Sequence, residues 1–577
     1  MRLGKVRLEY LAPGGGRRVL EGPPPLRDPW VALDPLEPEG VAGTPGSPEE
    51  ADLRVAAAEK GVRLLRLVAE LEAVDLREKF LAKGLGSWSE TRLLGPDDVL
   101  PGLRLAWFLA PYGDYPWVRY SARPGVFHSH WLTYTADRTG FTFLGSLNDH
   151  TAYTVFRVDL RRRRLWAEVD VEGLEPSPGD VLLRVFHAES DGGLLPLVRA
   201  YAARLGEVLA REEGLPRPLV PAPDHRPAGW NSWYNYYRNV SEDAVRAELD
   251  ALRGLSLDYV QVDDGWQKEI GDWLEPGPRF RDLGRLAAAI REAGFVPGLW
   301  VAPLVATPKS SVSGRGWVKP WRAGWNASWG TSFRPLDLDR PEARDYVRRV
   351  GETLSRWGYG LVKADFLYAA AVRPWGGRTR ATRMRQAMRL LREALPGRLL
   401  ACGVPLASAV GCCDYARLGG DTTPYWEFRL LRFCRYRERP STVAALRTVL
   451  GRWFMDGTLF VLDPDVFILG PGSLSPAERR TLYDVTTTVG GLVSFSDSLA
   501  RLDPESLELV HRTFPLPSRR LLDVVEEERD LFRMTVEWEA RAEADTARGT
   551  TRILSVNLGD EPRSGLGPHS SAWEAVP

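Results

Sequence analysis

The chain has 577 residues, with 76 Lys+Arg against 76 Asp+Glu and 44% hydrophobic residues. That length implies several domains, or one large barrel with satellites. Zero net charge argues against a protein that tracks nucleic-acid phosphates, and the apolar content excludes an acidic disordered chain. The basic residues are 68 Arg and 8 Lys. This fits a GC-rich genome and does not establish adaptation to heat, whose broad signal is Lys and Glu enrichment. Four Cys, at 402, 412, 413 and 434, do not make a secreted disulfide framework in so long a chain. The N-terminal MRLGKVRLEYL lacks the apolar stretch of a signal peptide, and no run of 18 apolar residues exists. A cytoplasmic location is therefore the default expectation.

Residues 1 to about 220 read as β-rich. HWLTYTADRTG and FTFLGSLND, TAYTVFRVDL and LWAEVDVEG, and DVLLRVFHAES are aromatic and β-branched runs broken by turn residues. Such a series implies an antiparallel sandwich, followed by one helix, LLPLVRAYAARLGEVLAREEG (194–214), with helical apolar spacing. PRPLVPAPDHRPAG (216–229) is a Pro-rich linker and the best domain boundary in the chain.

From Gly229 the pattern changes. GWNSWY is followed by a helix that Ser241 can cap, and YVQVDDGW by the helix RLAAAIREAG. FVPGLWVAP, GLVKADF, LLACGVP, YARLGGD, GTLFVLDPDVFIL and GGLVSFSD complete eight short apolar strands, mostly separated by helices, over about 270 residues. The count fits a (β/α)8 TIM barrel better than an open doubly wound sheet, and the Gly-rich dinucleotide fingerprint is missing. After about 505, LLDVVEEE, LFRMTVEWEA and TRILSVNLG read as a small antiparallel β domain. The expected architecture is multidomain α/β plus β: an N-terminal β-sandwich (1–220), a central barrel (221–504) and a C-terminal β domain (505–577).

All seven His lie outside 228–500. That removes a Ser-His-Asp triad, an HExxH zinc site or a His general base from the barrel, and no GxSxG elbow or Walker A loop occurs. Barrel chemistry sits at the C-terminal ends of strands. Those ends carry Asp263 and Asp264, Lys363 and Asp365, Arg417 and Asp421, Asp463 and Asp465, and Asp497. Carboxylates clustered without His suit glycoside hydrolysis: one attacks or stabilises an oxocarbenium-like centre and another protonates the leaving oxygen. A single such Asp can as well cap a helix or pair with an Arg.

The Asp263–Asp264 pair can chelate a hard cation, cap the next turn or accept from two sugar hydroxyls. Lys363, one of four Lys in the barrel, can hold a nearby Asp ionised or act as a Schiff-base nucleophile. Thirteen of the 21 Trp fall between 230 and 453. Sugar C–H faces pack on indole, so a Trp-lined mouth suits carbohydrate, although many of these rings fill core. Trp230, Trp233, Trp266 and Trp300 flank strand ends, and WVKPWRAGWNASWG (317–330) reads as a loop wall beside the site. Of the Cys, only Cys402 stands at a strand end, and the adjacent Cys412 and Cys413 are poorly spaced for zinc.

GWNSWYNYY, YVQVDDGWQKEIGDW, GFVPGLWVAP, LVKADF, RLGGD, VLDPDV and GGLVSFSD together resemble the α-galactosidases (melibiases) of glycoside hydrolase family 36, in the clan shared with family 27. The resemblance covers about 228–500 and continues more weakly to either side. It implies that Asp365 in KAD is the nucleophile and Asp421 in RLGGD the acid/base. Two displacements would then retain the anomeric configuration, with the carboxyl groups near the retaining separation of about 5–5.5 Å. It implies hydroxyl-binding roles for Asp263, Asp264, Lys363 and Arg417, and pocket walls from Trp233, Trp300 and Cys402. It implies hydrolysis of terminal α-linked galactose from melibiose- or raffinose-type oligosaccharides, no metal or organic cofactor, no nucleic-acid or membrane partner and, by analogy, a homo-oligomer.

Three positions depart from the family pattern. Ala364 stands where a Trp is common, RLGGD replaces an SDNTD-like run, and CGVP (402–405) replaces a CEWP-like or Gly-rich loop near the sugar's 2-position. The alternatives that stay open are an α-N-acetylgalactosaminidase, a raffinose-synthase-like galactosyltransferase, a Schiff-base lyase using Lys363 and a catalytically silent sugar-binding protein.

Overall fold

The computed structural model describes residues 1–36, 48–215, 219–220, 225–538 and 550–575. Much of the Pro-rich 216–229 segment, and the last two residues of LFRMTVEWEA, lie outside them. The first third of the chain forms two antiparallel sheets. One has six strands, in the order Arg17–Gly22, Arg2–Leu11, Arg63–Glu72, Arg164–Asp170, Tyr153–Asp159, Val126–His130. The other has eight and runs from Leu26–Arg27 to Thr91–Leu94, with Asp180–Ser190 and Gly140–Ser146 at its centre. Alternation along the strands turns Val6, Leu8, Leu64, Leu144, Phe156, Leu165, Leu183 and Val185 into one shared apolar layer. The sandwich expected from the aromatic and β-branched runs is what forms. The helix after it spans Leu194–Glu213 and ends on Gly214 in the left-handed region (φ 69°).

From Ala228 every pairing in the main sheet is parallel. The order is Val461–Asp463, Tyr415–Arg417, Arg398–Ala401, Leu361–Ala364, Val296–Val301, Tyr259–Val262, Ala228–Asn231, Val493–Phe495, Val466–Phe467. The two ends of that order belong to one segment, interrupted only by Pro464 and Asp465. The first half of the segment bonds Tyr415–Arg417 and the second half bonds Val493–Phe495, so the sheet curls round onto itself. Counted as one, the segment brings the parallel strands to the eight read from the sequence. Strands of three to six residues buried on both faces read as unbroken apolar runs because helices cover their outer side.

Those helices start where capping chemistry predicts. The Ser241 hydroxyl accepts from Ala244 N, Asp282 from Gly284 N and Arg285 N, and Thr379 from Thr382 N. Ser475 and Glu478 form a reciprocal capping box at the helix Pro476–Val489. A helix absent from the sequence reading, Pro504–Thr513, follows the last parallel strand and is capped by Asp503. A four-stranded antiparallel meander, from Arg519–Glu528 to Ser570–Ala575, ends the chain. Among the described residues no helix is long and apolar enough to cross a membrane.

Candidate active site

The C-terminal ends of alternate parallel strands bring the acidic residues to one rim. Asp263 and Asp264 follow Tyr259–Val262, Lys363 lies inside Leu361–Ala364, Asp365 follows it, and Arg417 ends Tyr415–Arg417. Lys363 donates to Asp263 Oδ2 at 2.9 Å, although the two residues are 100 positions apart. The same oxygen accepts from Gln261 Nε2 (2.9 Å) and Asn231 Nδ2 (3.2 Å), while Oδ1 accepts from the Asp264 backbone N–H (2.9 Å). Burial alone would push this carboxyl up, but Lys363 and the other donors hold it below the usual carboxylate range. In return, and against the desolvation that opposes its own charge, the Asp263 carboxylate holds the Lys363 ammonium above the ordinary lysine value.

Asp264 is a different kind of acid. Its Oδ1 accepts from Gln267 Nε2 (2.7 Å) and its Oδ2 from Trp329 Nε1 (2.8 Å), with Arg238 at 3.7 Å. With no lysine in contact, desolvation dominates and pushes it up to about 6. Gly265 follows at φ 129°, and a Cβ there would lie 2.8 Å from the Arg238 carbonyl oxygen, so the tight turn after the Asp pair requires glycine.

Asp365 is buried. Trp300 donates its indole N–H to Oδ2 at 3.0 Å, and the Phe366 backbone N–H binds Oδ1 at 2.8 Å. Phe366 sits in the left-handed region (φ 54°), a strained conformation for a non-glycine residue, which aims that N–H back at the carboxylate. Across the rim, Arg417 is buried between three carboxylates. Nε binds Asp463 (2.9 Å), Nη2 Asp465 (2.8 Å) and Nη1 Asp421 (3.2 Å). Asp465 is itself left-handed (φ 78°) and is fixed by Tyr234 OH (2.5 Å) and the Thr422 N–H (2.8 Å).

The Asp421 side chain keeps 46% of its surface open. The protein packed around it still desolvates the carboxyl. That desolvation, with the negative charges of Asp465 and Asp365 and against the pull of Arg417, raises it to about 7. Asp365 acts on Asp421, and both act on the buried thiol of Cys402, alongside Lys363 and Arg417. These five side chains therefore share one electrostatic neighbourhood. Cys402 is pushed up by burial and then by Asp365, which keeps it a thiol, packed in an apolar cluster with Leu361 and Leu400.

The remaining expectations divide. Trp233 is half-buried, opens the helix Trp233–Tyr236 and packs edge-on against Tyr237, 5.3 Å between centroids. Trp300 touches Asp365 directly. Trp230 and Trp266 are core instead: their indole N–H groups donate to the backbone carbonyls of Asp497 and Trp300. Of the four Trp in the 317–330 segment, only Trp329 bonds a site residue. Trp317 packs on Tyr346, Trp321 on Trp375 and Trp325 on Phe108. Asp497 ties down a turn by accepting from Leu469 N and Gly470 N.

Several contributors escaped the sequence reading. Asp465 was visible only as one more strand-end acid, and its link to Arg417 needs Tyr415–Arg417 to pair with Val461–Asp463. The N-terminal sandwich supplies Trp88 and Tyr112, which pack on Phe366 at 5.3 and 6.4 Å. No periodicity or motif marks these two as wall residues. Among the described residues one group could gather a metal ion, Asp114 with His128 and His130. It lies in the sandwich, with both imidazoles and Tyr120 already bonded to the Asp114 carboxylate.

No protein-family model matches the chain. An α-galactosidase of Lactobacillus acidophilus is 27% identical over 131 residues, 21% of this chain and 17% of that enzyme's length. The chain thus aligns in sequence with about a sixth of that curated relative. In structure the likeness is far wider. An α-galactosidase from Thermus thermophilus, solved with p-nitrophenyl α-D-galactopyranoside, superposes with a TM-score of 0.67 and 26% identity, over 91% of this chain and 97% of that one. The family 36 α-galactosidase AgaA of Geobacillus stearothermophilus, in complex with raffinose, shares the fold over 95% of this chain and 81% of its own (TM-score 0.58, 13% identity).

Proposed function

We propose that the chain is a family 36 α-galactosidase that hydrolyses terminal α-linked galactose from melibiose- and raffinose-type oligosaccharides by double displacement, with Asp365 as nucleophile and Asp421 as acid/base. The observation that carries this reading is the unlike treatment of two carboxylates close enough to act on one another at one rim. Asp365 is held on both oxygens by N–H donors, which fix its orientation for attack on the anomeric carbon. Asp421, raised to about 7, keeps a proton to give to the departing oxygen near neutral pH. After the aglycone leaves, the same group, now ionised, takes a proton from water, and attack from the side it vacated restores the α configuration. The resemblance to α-galactosidases and the sugar complexes of the structural relatives support galactose as the glycone.

In this reading Asp264, with lone pairs left after binding Gln267 and Trp329, accepts from a sugar hydroxyl. Asp263 already takes four donors, so it serves mainly to hold Lys363 in place. Trp233, half-buried, gives an apolar face to the sugar ring, while the buried Trp300 orients Asp365. The Asp263 contact keeps Lys363 charged, which counts against a Schiff-base lyase, since that chemistry needs a neutral amine.

We further assign the sandwich to 1–220, the catalytic (β/α)8 barrel to 221–504 and the last β domain to 505–577. The sheets falling within 2–190, 228–495 and 519–575 support this division. A cytoplasmic location agrees with four free cysteines, two of them adjacent. The deciding experiment is turnover of nitrophenyl α-galactoside by the wild type and by Asp365→Ala. The substitution should abolish turnover, and azide should restore it with a β-galactosyl azide as product. Absence of wild-type turnover, or a substitution without effect, sinks the assignment. Release of free galactose from raffinose with excess acceptor sugar present distinguishes hydrolysis from transfer. Comparison with an α-N-acetylgalactosaminide fixes the group at the 2-position.

A further inference from the structure

Arg452 lies more than thirty residues beyond Asp421, at the end of the helix Thr442–Gly451, and is fully buried. Among the described residues it makes no ion pair. Instead all its donors go to oxygens of the neutral chain. Nη2 binds the carbonyls of Gly86 (3.1 Å) and Ser89 (2.6 Å), and Nη1 those of Ser87 (2.7 Å) and Leu418 (3.1 Å). Nε binds the Thr91 hydroxyl at 2.8 Å. Five donors meet five acceptors, the full capacity of a guanidinium. Burying such a charge without a carboxylate is unfavourable, and desolvation, with the nearby Arg437, brings it down to about 9. A residue that served packing alone would be better replaced by an apolar one.

The acceptors say what the charge is for. Gly86, Ser87 and Ser89 flank Trp88, the sandwich residue that packs on Phe366 beside Asp365. Leu418 follows Arg417, the residue that binds Asp421. Trp88 also fits over Gly403, where a Cβ would lie 2.7 Å from its ring, and its indole N–H is buried without a partner. The loop is tied further by Ser87 N to Val404 O (2.8 Å) and by Ser89 Oγ to Glu438 (2.6 Å).

We propose that Arg452 is a positioning residue that locks the sandwich loop carrying Trp88 onto the barrel rim, so that a wall of the sugar pocket contributed by another domain stays in register with Asp365 and Asp421. This rests on the function proposed above. It acts through Trp88, not on substrate.

The test is a double-mutant cycle in the full chain between Arg452→Lys and Trp88→Ala, read in kcat/KM for nitrophenyl α-galactoside, with hydrogen exchange of 84–91 as a second readout. Arg452→Lys keeps the charge but cannot span five acceptors. Misplacing a wall by about 1 Å costs up to about 100-fold, so a loss of roughly 10- to 100-fold is expected, mostly in KM. The double variant should be little worse than Trp88→Ala, and exchange in 84–91 should rise at least tenfold while the parallel strands stay protected. Should Arg452→Lys compromise folding, Thr91→Val removes one acceptor and should show the same non-additive pattern more weakly. Losses that multiply in full, or unchanged exchange in 84–91, overturn the proposal. If the wild type does not cleave α-galactosides, the function assignment fails while the exchange measurement still decides the clamp.

Discussion

Asp465→Asn is the most informative perturbation of Asp421, the proposed acid/base. Asp421 and Asp465 bind two nitrogens of one guanidinium, at 3.2 and 2.8 Å. Their oxygens therefore lie within about 8 Å of each other. At an effective dielectric of about 20, one unit charge at that distance raises the cost of ionising the other by about 2 kcal/mol. Removing it should move the basic limb of the pH–rate profile down by about one to two pH units. The sign follows from the role: Asp421 must be protonated to act, it is raised to about 7, and losing a neighbouring negative charge makes it ionise at lower pH. Asn is the apt replacement because position 465 is left-handed (φ 78°), which Asn tolerates. The assay is kcat/KM for melibiose across pH 4–9, since a sugar leaving group needs the proton and a nitrophenolate does not. An unmoved basic limb, with the acidic plateau and fold intact, would refute the assigned roles of Asp421 and Asp465 together.

Other substitutions probe the remaining contacts. Trp329→Phe removes the indole N–H from Asp264 and should raise KM about 5- to 10-fold with kcat little changed, measured by steady-state kinetics. Lys363→Met leaves Asp263 buried without its cation and should destabilise by about 3–5 kcal/mol in urea unfolding. Because the Asp263 pKa is lowered in the fold, the part of stability that Lys363 confers is present above the unfolded carboxylate value and lost on acidification. The Met variant should therefore show a flatter fall in stability toward low pH. Ser475→Ala breaks the capping box and should cost about 1 kcal/mol without touching activity, which thermal unfolding and turnover report together.

What the sequence determined by itself was local. Apolar runs, the Ser241 cap and a His-free stretch each follow from neighbours along the chain, so strands, one helix start and the concentration of acids at strand ends were legible. The strand-end placement of Lys363, Asp365 and Arg417 was legible too, because it follows from the apolar runs that precede them. The tertiary structure decided which of many aromatic and acidic residues contact one another at the rim. Trp230 and Trp266 share composition and strand-end placement with Trp300, yet only the last touches a site carboxylate, since strand register sets where each ring points. The partners of Asp263 come from three strands, and Arg417 meets Asp465 because Tyr415–Arg417 pairs with Val461–Asp463, more than forty residues away in sequence. The wall formed by Trp88 and Tyr112 crosses from another domain, a contact between distant segments that no periodicity encodes. Protonation depends on the fold as well: Asp263 is held below the usual carboxylate range while Asp264 and Asp421 are pushed up, because burial and cation contacts differ, and those exist only in the folded chain.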